Sequence, residues 1–211
     1  AACIDSKSIA SKQFKVVVDA VNGAGSTILP KLCEDLGCHV TTINCNGDGN
    51  FTRAAEPLAE NLNNLEEKVL EVGADIGFAT DPDGDRLSIV SNKGYAIGEE
   101  YTLALSFKNF INYQDSMIVT NLSTSRMIDD ISSGSIRTKI GEAHVVEKMK
   151  ELNILIGGEG NGGVILKEVH LGRDSLVATA MILNLLSRDN KSLNEVIAEI
   201  PSYIFIKDKI N

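Results

Sequence analysis

Phe78-Ala79-Thr80-Asp81-Pro82-Asp83-Gly84-Asp85-Arg86 is a short apolar run that passes without a break into three alternating carboxylates. The run begins at Asp75 and has no polar alternation, the pattern of a strand buried on both faces of a mostly parallel sheet. Such sheets place ligands beyond the carboxyl ends of their strands, where this loop lies. Carboxylates at i, i+2 and i+4 in a tight loop turn their oxygens inward and repel one another unless a cation is present. Asp81, Asp83 and Asp85 therefore form a hard anionic pocket suited to Mg²⁺. Pro82 restricts the backbone and Gly84 permits the turn. Arg86 adds a fixed cation able to hold a phosphate or to neutralise the acids. A solvated acidic turn is the competing reading, and its position directly after a buried strand counts against it.

Working outward, strand and helix alternate along the whole chain. Lys15–Asp19 reads as a buried strand, followed by the loop Ala20–Ser26 and a helix with Leu29, Leu32, Cys33 and Leu36 on one stripe, stopped by Gly37. Strand His39–Cys45, a polar stretch to Pro57, and a helix carrying Leu62, Leu65, Val69 and Val72 lead back to Asp75–Thr80. Leu87–Val90 and Tyr95–Ile97 flank Asn92-Lys93-Gly94 as a hairpin.

The order then begins again. Helix Glu99–Ile111, strand Ser116–Asn121, loop Leu122–Ser125 and a short helix with Met127, Ile128 and Ile131 come first. Strand Ser135–Ile140, a helix with Val145, Val146 and Met149, and strand Ile154–Gly157 lead into the loop Gly158–Gly163. Helix Asp174–Leu186, with Asp174 as its N-cap, precedes a helix opened by the capping box Ser192-x-x-Glu195; Pro201 ends it and Ser202–Lys209 is an extended exit. The expected fold is two tandem three-layer α/β/α units of similar topology, residues 1–97 and 98–211, each a mixed, mostly parallel sheet between helices.

Composition sets the outer bounds. Twenty basic against 29 acidic residues give a net charge of −9 over 211 residues, which excludes a nucleic-acid or anionic-membrane partner. No apolar run reaches the ~20 residues of a membrane span. The four cysteines form no C-x-x-C pair and read as small reduced residues of a cytoplasmic protein. His39, His144 and His170 have no carboxylate or cysteine at ligand spacing. The chain starts without Met, as a piece of a longer protein does.

Two motif families fit the aspartate loop less well. An EF-hand needs Gly and Glu where Arg86 and Asn92 stand. A haloacid-dehalogenase-type phosphatase has D-x-D-G after a strand, which Asp81-x-Asp83-Gly84 satisfies, but near its domain's N-terminus and without Asp85. The loop resembles closely the metal-binding loop of the α-D-phosphohexomutases. Val18-Asp19-Ala20-Val21-Asn22-Gly23-Ala24-Gly25-Ser26 is similar to the opening of that family's second domain, and Gly158-Glu159-Gly160-Asn161-Gly162-Gly163 to the sugar-binding loop of its third.

The resemblance implies a set of roles. Asp81, Asp83 and Asp85 would bind Mg²⁺, with Arg86 beside them; Glu159 and Asn161 would receive sugar hydroxyls. Arg173, Lys139 and Arg126 are candidate phosphate contacts. The family's reaction moves a phosphoryl group between C1 and C6 of a hexose through a hexose 1,6-bisphosphate. Its donor is a phosphoserine in a Ser-His-Asn loop of a first domain, and a fourth domain grips the substrate phosphate. No Ser-His-Asn occurs here, so the resemblance is to the middle two domains, and the isolated chain is expected to lack turnover. Where some relatives carry His after the sugar loop, Gly163 stands here. A Mg²⁺-dependent phosphatase with Asp81 as nucleophile and a non-catalytic sugar- or cation-binding module are the alternatives.

Overall fold

A computed structural model describes residues 1–111 and 117–203. The first sheet holds β1 (Lys15–Asp19), β2 (His39–Ile43), β3 (Ile76–Thr80) and β4 (Leu87–Ser91) in the order β2-β1-β3-β4. The second holds β5 (Met117–Asn121), β6 (Gly134–Thr138), β7 (Ile156–Glu159) and β8 (Gly163–Leu166) in the order β6-β5-β7-β8. In each, three strands run parallel and the last turns back antiparallel. The central strands are apolar because helices cover both faces.

Helices α1 (Ser6–Lys12), α2 (Gly25–Asp35) and α3 (Asn63–Val72) belong to the first stretch of chain. Helices α4 (Glu100–Phe110), α5 (Met127–Ile131), α6 (Glu142–Leu152), α7 (Ser175–Asp189) and α8 (Leu193–Ile197) belong to the second. The outer face of the first sheet is closed by α3, whose Leu65 and Val69 bury against Val17, Ala79 and Val90. The outer face of the second is closed by α6, with Val145 and Met149 against Val119 and Ile165. Between the sheets lies one continuous core. Leu103, Leu105 and Phe107 of α4 and Met181, Ile182 and Leu185 of α7 meet Phe78, Leu87 and Ile89 from one sheet and Ile118, Ile156 and Val164 from the other. At roughly 1.5–3 kcal/mol per fully buried side chain, this shared layer fixes the two units against each other.

Most of the expected elements are present, with several differences; the strand expected at Ile154–Gly157 lies at Ile156–Glu159, so Glu159 ends a strand. The glycine-rich loop is shorter than expected, because Gly163–Leu166 pairs antiparallel with β7 as a strand of its own. The downstream arm of the Leu87–Ile97 hairpin makes a single bridge, Val90↔Ala96, while β4 pairs with β3 instead. The expected strand Ser135–Ile140 lies at Gly134–Thr138, so Lys139 is beyond its end. Helix α1 was not foreseen: it has Ile9 as its one buried residue, is capped by Asp5, and packs on α7. Most of the exit segment Ser202–Lys209 lies outside the described residues, as does Ser116. No described helix is long and apolar enough to cross a membrane.

Candidate active site

The chain leaves β3 at Thr80 and turns at once. Asp81, 5% exposed, accepts the Arg86 amide at 3.1 Å, and Gly84 takes a φ of +78°, a conformation that favours glycine. One carboxylate oxygen each from Asp81, Asp83 and Asp85 lies within 4.8 Å of the others. Burial, then the closeness of the Asp85 carboxyl and the neighbouring negative charges, pushes Asp81 up to about 7. Burial works against the Arg86 cation, but the Glu56 hydrogen bond and the charges of Asp81 and Asp85 outweigh it and raise its pKa. Its Nη1 is 3.2 Å from Glu56 and its Nε 3.5 Å from Asp81.

These residues fit a hard divalent cation. The donors are all carboxylate oxygens, the buried Oδ1 of Asp85 accepts no hydrogen bond, and Asp81 resists ionisation in the absence of a compensating charge. The loop is also braced from behind. Val21 and Asn22 both adopt positive φ (47° and 57°), unusual for a β-branched valine, and this turn brings Ala24 N–H to Pro82 O at 2.8 Å. Arg53, from the polar stretch after β2, pairs with the fully buried Asp19 at 3.2 Å and donates to Thr80 O at 2.7 Å. Neither Asp19 nor Arg53 was singled out in the sequence. The buried end of β1 carrying an acid was the available signal.

Glu159 ends β7 and is 4% exposed. Its Oε1 accepts from Asn121 Nδ2 at 2.6 Å and Gly141 N at 3.2 Å; its Oε2 accepts from Arg173 at 2.9 Å and, more weakly, from Asn161 Nδ2 at 3.5 Å. Asn161 Oδ1 receives the Gly163 amide, and Thr124 Oγ1 receives that of Gly160 at 3.0 Å. Asn121 and Thr124 were missed, although Asn121 ends β5 as Asp19 ends β1.

The two loops meet. Arg173 donates to both Glu159 and Asp85, Ser175 donates through N and Oγ to Gly84 O (3.2 and 2.6 Å), and Leu87 N donates to Gly162 O at 3.1 Å. Asp81, Asp83, Asp85, Arg86, Glu159, Asn161 and Arg173 thus lie along one edge, at the carboxyl ends of β3 and β7. Lys139 follows the carboxyl end of β6, two residues before Gly141, and lines a concavity with Arg137, His144, Glu147 and Glu151. Arg126 stands exposed at the start of α5, 3.8 Å from Asp129. The reading that no histidine has a carboxylate at ligand spacing is corrected for His170, whose Nε2 lies 2.8 Å from Asp174, four residues on across the turn before α7. Asp174 itself is the N-cap of α7, accepting from Leu176 and Val177.

Comparison with known proteins agrees with this geometry. The family model described as phosphoglucomutase/phosphomannomutase, alpha/beta/alpha domain II matches residues 1–94, and that for domain III matches residues 91–203. The chain is a member of the phosphoglucomutase/phosphomannomutase family, over its two middle domains. It is 39% identical to a phosphoglucomutase/phosphomannomutase of Thermococcus kodakarensis over 98% of its own length and 46% of that protein's. It is 34% identical to a phosphoglucosamine mutase of Methanocaldococcus jannaschii, over 95% of this chain and 47% of that one. A family protein from Burkholderia thailandensis, solved by crystallography, superposes with a TM-score of 0.80 at 26% identity, covering 94% of this chain and 46% of the other. The chain spans about half the length of the curated relatives it matches.

Proposed function

We propose that the chain supplies the metal- and sugar-binding centre of a cytoplasmic phosphohexomutase that interconverts hexose 1-phosphate and hexose 6-phosphate through hexose 1,6-bisphosphate. The observation that carries this is the meeting of an acidic triad and a glutamate-bearing glycine loop on one edge of two matching sheets. The division into units near residue 97, with first and fourth domains contributed by other parts of the same polypeptide, belongs to the same proposal.

Asp81, Asp83 and Asp85 would hold Mg²⁺ through carboxylate oxygens. When bound, the ion supplies Lewis-acid stabilisation of the charge on a transferring phosphoryl group. Arg86, cationic at any relevant pH and held beside its acidic neighbours, would present a fixed cation to phosphoryl oxygens at the same place. Glu159 has its lone pairs engaged, and its bond to Asn161 at 3.5 Å is the weakest. A pair of vicinal sugar hydroxyls would enter there, with Glu159 accepting and the Asn161 amide both donating and accepting. If the sugar binds in two flipped orientations, these contacts serve both, which favours equatorial O3 and O4. Lys139, just past the end of β6, and Arg126, just past the loop that follows β5, would offer cations to a substrate phosphate from the carboxyl side of the second sheet.

The test is ³¹P NMR on the full-length parent with Mg²⁺, a trace of hexose 1,6-bisphosphate, and each hexose 1-phosphate in turn. Growth of a 6-phosphate signal, abolished by Asp83→Ala, is the expected result and names the preferred sugar. Inorganic phosphate in its place assigns a dehalogenase-type phosphatase, and an unchanged spectrum a binding module.

A further inference from the structure

Arg173 stands between the two loops, and each nitrogen of its guanidinium meets a different carboxylate. Nε donates to Glu142 at 2.9 Å, Nη1 to Glu159 at 2.9 Å, and Nη2 to Asp85. The side chain is 14% exposed. Its three partners belong to three separate elements: the first turn of α6, the end of β7, and the acidic loop between β3 and β4. The stem reaches this position over Gly163, where a Cβ would lie 2.2 Å from Arg173 Cδ. The missing side chain at 163 is therefore the condition for Arg173's path.

We propose that Arg173 is a positioning residue that couples the acidic loop to the glycine loop, by holding Asp85 and Glu159 on one rigid cation. Its consequence for catalysis rests on the functional reading above; its geometry does not. Asp85 must divide its oxygens between Arg173 and any cation the acidic loop holds. Occupation of that loop therefore alters the pull on Glu159 through a planar guanidinium, and linkage makes the effect reciprocal. A lysine, as a point charge on a flexible stem, keeps the charge but cannot span three divergent carboxylates.

The test is amide hydrogen exchange by NMR on the chain in EDTA. The reporters are Gly141, bonded to Glu159, and Gly163, bonded to Asn161; Val18 and Val119 in the central strands serve as controls. Asp85→Asn is expected to speed exchange at both reporters about fivefold, with the controls unchanged. In Arg173→Lys, exchange at the reporters is fast from the start, and adding Asp85→Asn changes it less than twofold. Unmoved reporters in Asp85→Asn, or an equal effect in both backgrounds, overturns the coupling. The reciprocal variant Glu159→Gln leaves Arg173 intact and keeps the question decidable if Arg173→Lys does not fold. It is expected to speed exchange of the Arg86 amide, which Asp81 accepts, and an unmoved Arg86 amide counts against the proposal. Mg²⁺ added to the unaltered chain is then expected to move the Gly141 and Gly163 signals as well. A response confined to residues 81–86 overturns the coupling. No response to Mg²⁺ anywhere removes the metal reading, and the EDTA comparison still decides the role of Arg173.

Discussion

The two halves of the molecule share a strand order and differ in how their third strands end. After β3 come three carboxylates, with an Asp85 oxygen buried and without a hydrogen bond. β7 ends in a single carboxylate, Glu159, with donors from Asn121, Gly141, Asn161 and Arg173. Topology puts both at the same place in their sheets, and the local supply of donors decides what each can do. A carboxylate already surrounded by N–H groups has little to offer a metal and is held as an oriented acceptor. Crowded carboxylates with too few donors repel one another and favour a cation among them. The same contrast runs one strand over, where β1 ends in the buried Asp19 and β5 in the neutral Asn121.

That contrast predicts the largest difference in stability. Arg53 pairs with the fully buried Asp19, whereas Arg137 of β6, its counterpart in the second half, donates mainly to the carbonyls of Asn121, Thr124 and Ser125 and to the half-buried Asp129. Removing one partner of a buried ion pair leaves a charge without compensation, at a cost of about 4 kcal/mol. Losing bonds to carbonyls together with a part-exposed ion pair costs less, about 2 kcal/mol. Urea denaturation of Arg53→Ala and Arg137→Ala is expected to show that ratio, and equal losses break the parallel drawn between the two strand ends.

Steric tolerance differs in the same direction. A Cβ on Gly23 would lie 2.4 Å from the Pro82 carbonyl oxygen, which belongs to the backbone of the acidic loop; one on Gly163 meets the stem of Arg173, a side chain that shifts only by loosening its carboxylate contacts. Gly23→Ala is expected to cost about 3 kcal/mol and Gly163→Ala about 2 kcal/mol, read from the same denaturation curves.

The pH dependence comes from the acidic loop. In the folded chain Asp81 titrates near 7, well above its unfolded value, so the folded state binds the extra proton. Metal-free stability is therefore greatest at low pH within that window and falls as the pH rises from about 4 through 7. Allowing for the part of the loop open to water, the loss is about 2 kcal/mol, or roughly 5 °C in melting temperature between pH 5 and pH 8. Mg²⁺ favours the ionised carboxylates and is expected to flatten the slope. Melting curves with EDTA and with Mg²⁺ check both statements, and Asp81→Asn is expected to remove the slope in EDTA.

How much of this was legible in the sequence follows from the range of the signals. The strands β1, β3 and β5 announce themselves as apolar runs, and the acidic triad is readable because its spacing is local. Glu159 and Asn161 were legible only through likeness to a family. Local pattern gave no sign of β8, because Gly163–Leu166 is a short apolar stretch that becomes a strand through its register with β7. Nor did it give the partners of Arg173, which are 31, 14 and 88 residues away. Arg53 sits in a polar stretch with no periodicity, and its partner is 34 residues upstream. Pairings of that range depend on the fold as a whole.

The smallest effect sharpens the comparison at the helix starts beside the two loops. The first turn of α7 is closed by the side chain of Asp174, which accepts from Leu176 and Val177, whereas α2 begins at Ala24 with no side-chain cap and a helical φ of −61°. Asp174→Ala is expected to cost about 1 kcal/mol, roughly 3 °C in melting temperature. Ala24→Ser is expected to change stability by less than about 0.3 kcal/mol, because a capping side chain works from extended backbone and Ala24 is not extended. Asp174 also faces His170 at 2.8 Å, so its loss has two possible causes. Asp174→Asn separates them: asparagine caps as well as aspartate, so stability within about 0.5 kcal/mol of the unaltered chain assigns the effect to the cap. A loss equal to that of Asp174→Ala assigns it instead to the charge facing His170, and the two helix starts then differ in electrostatics rather than in capping.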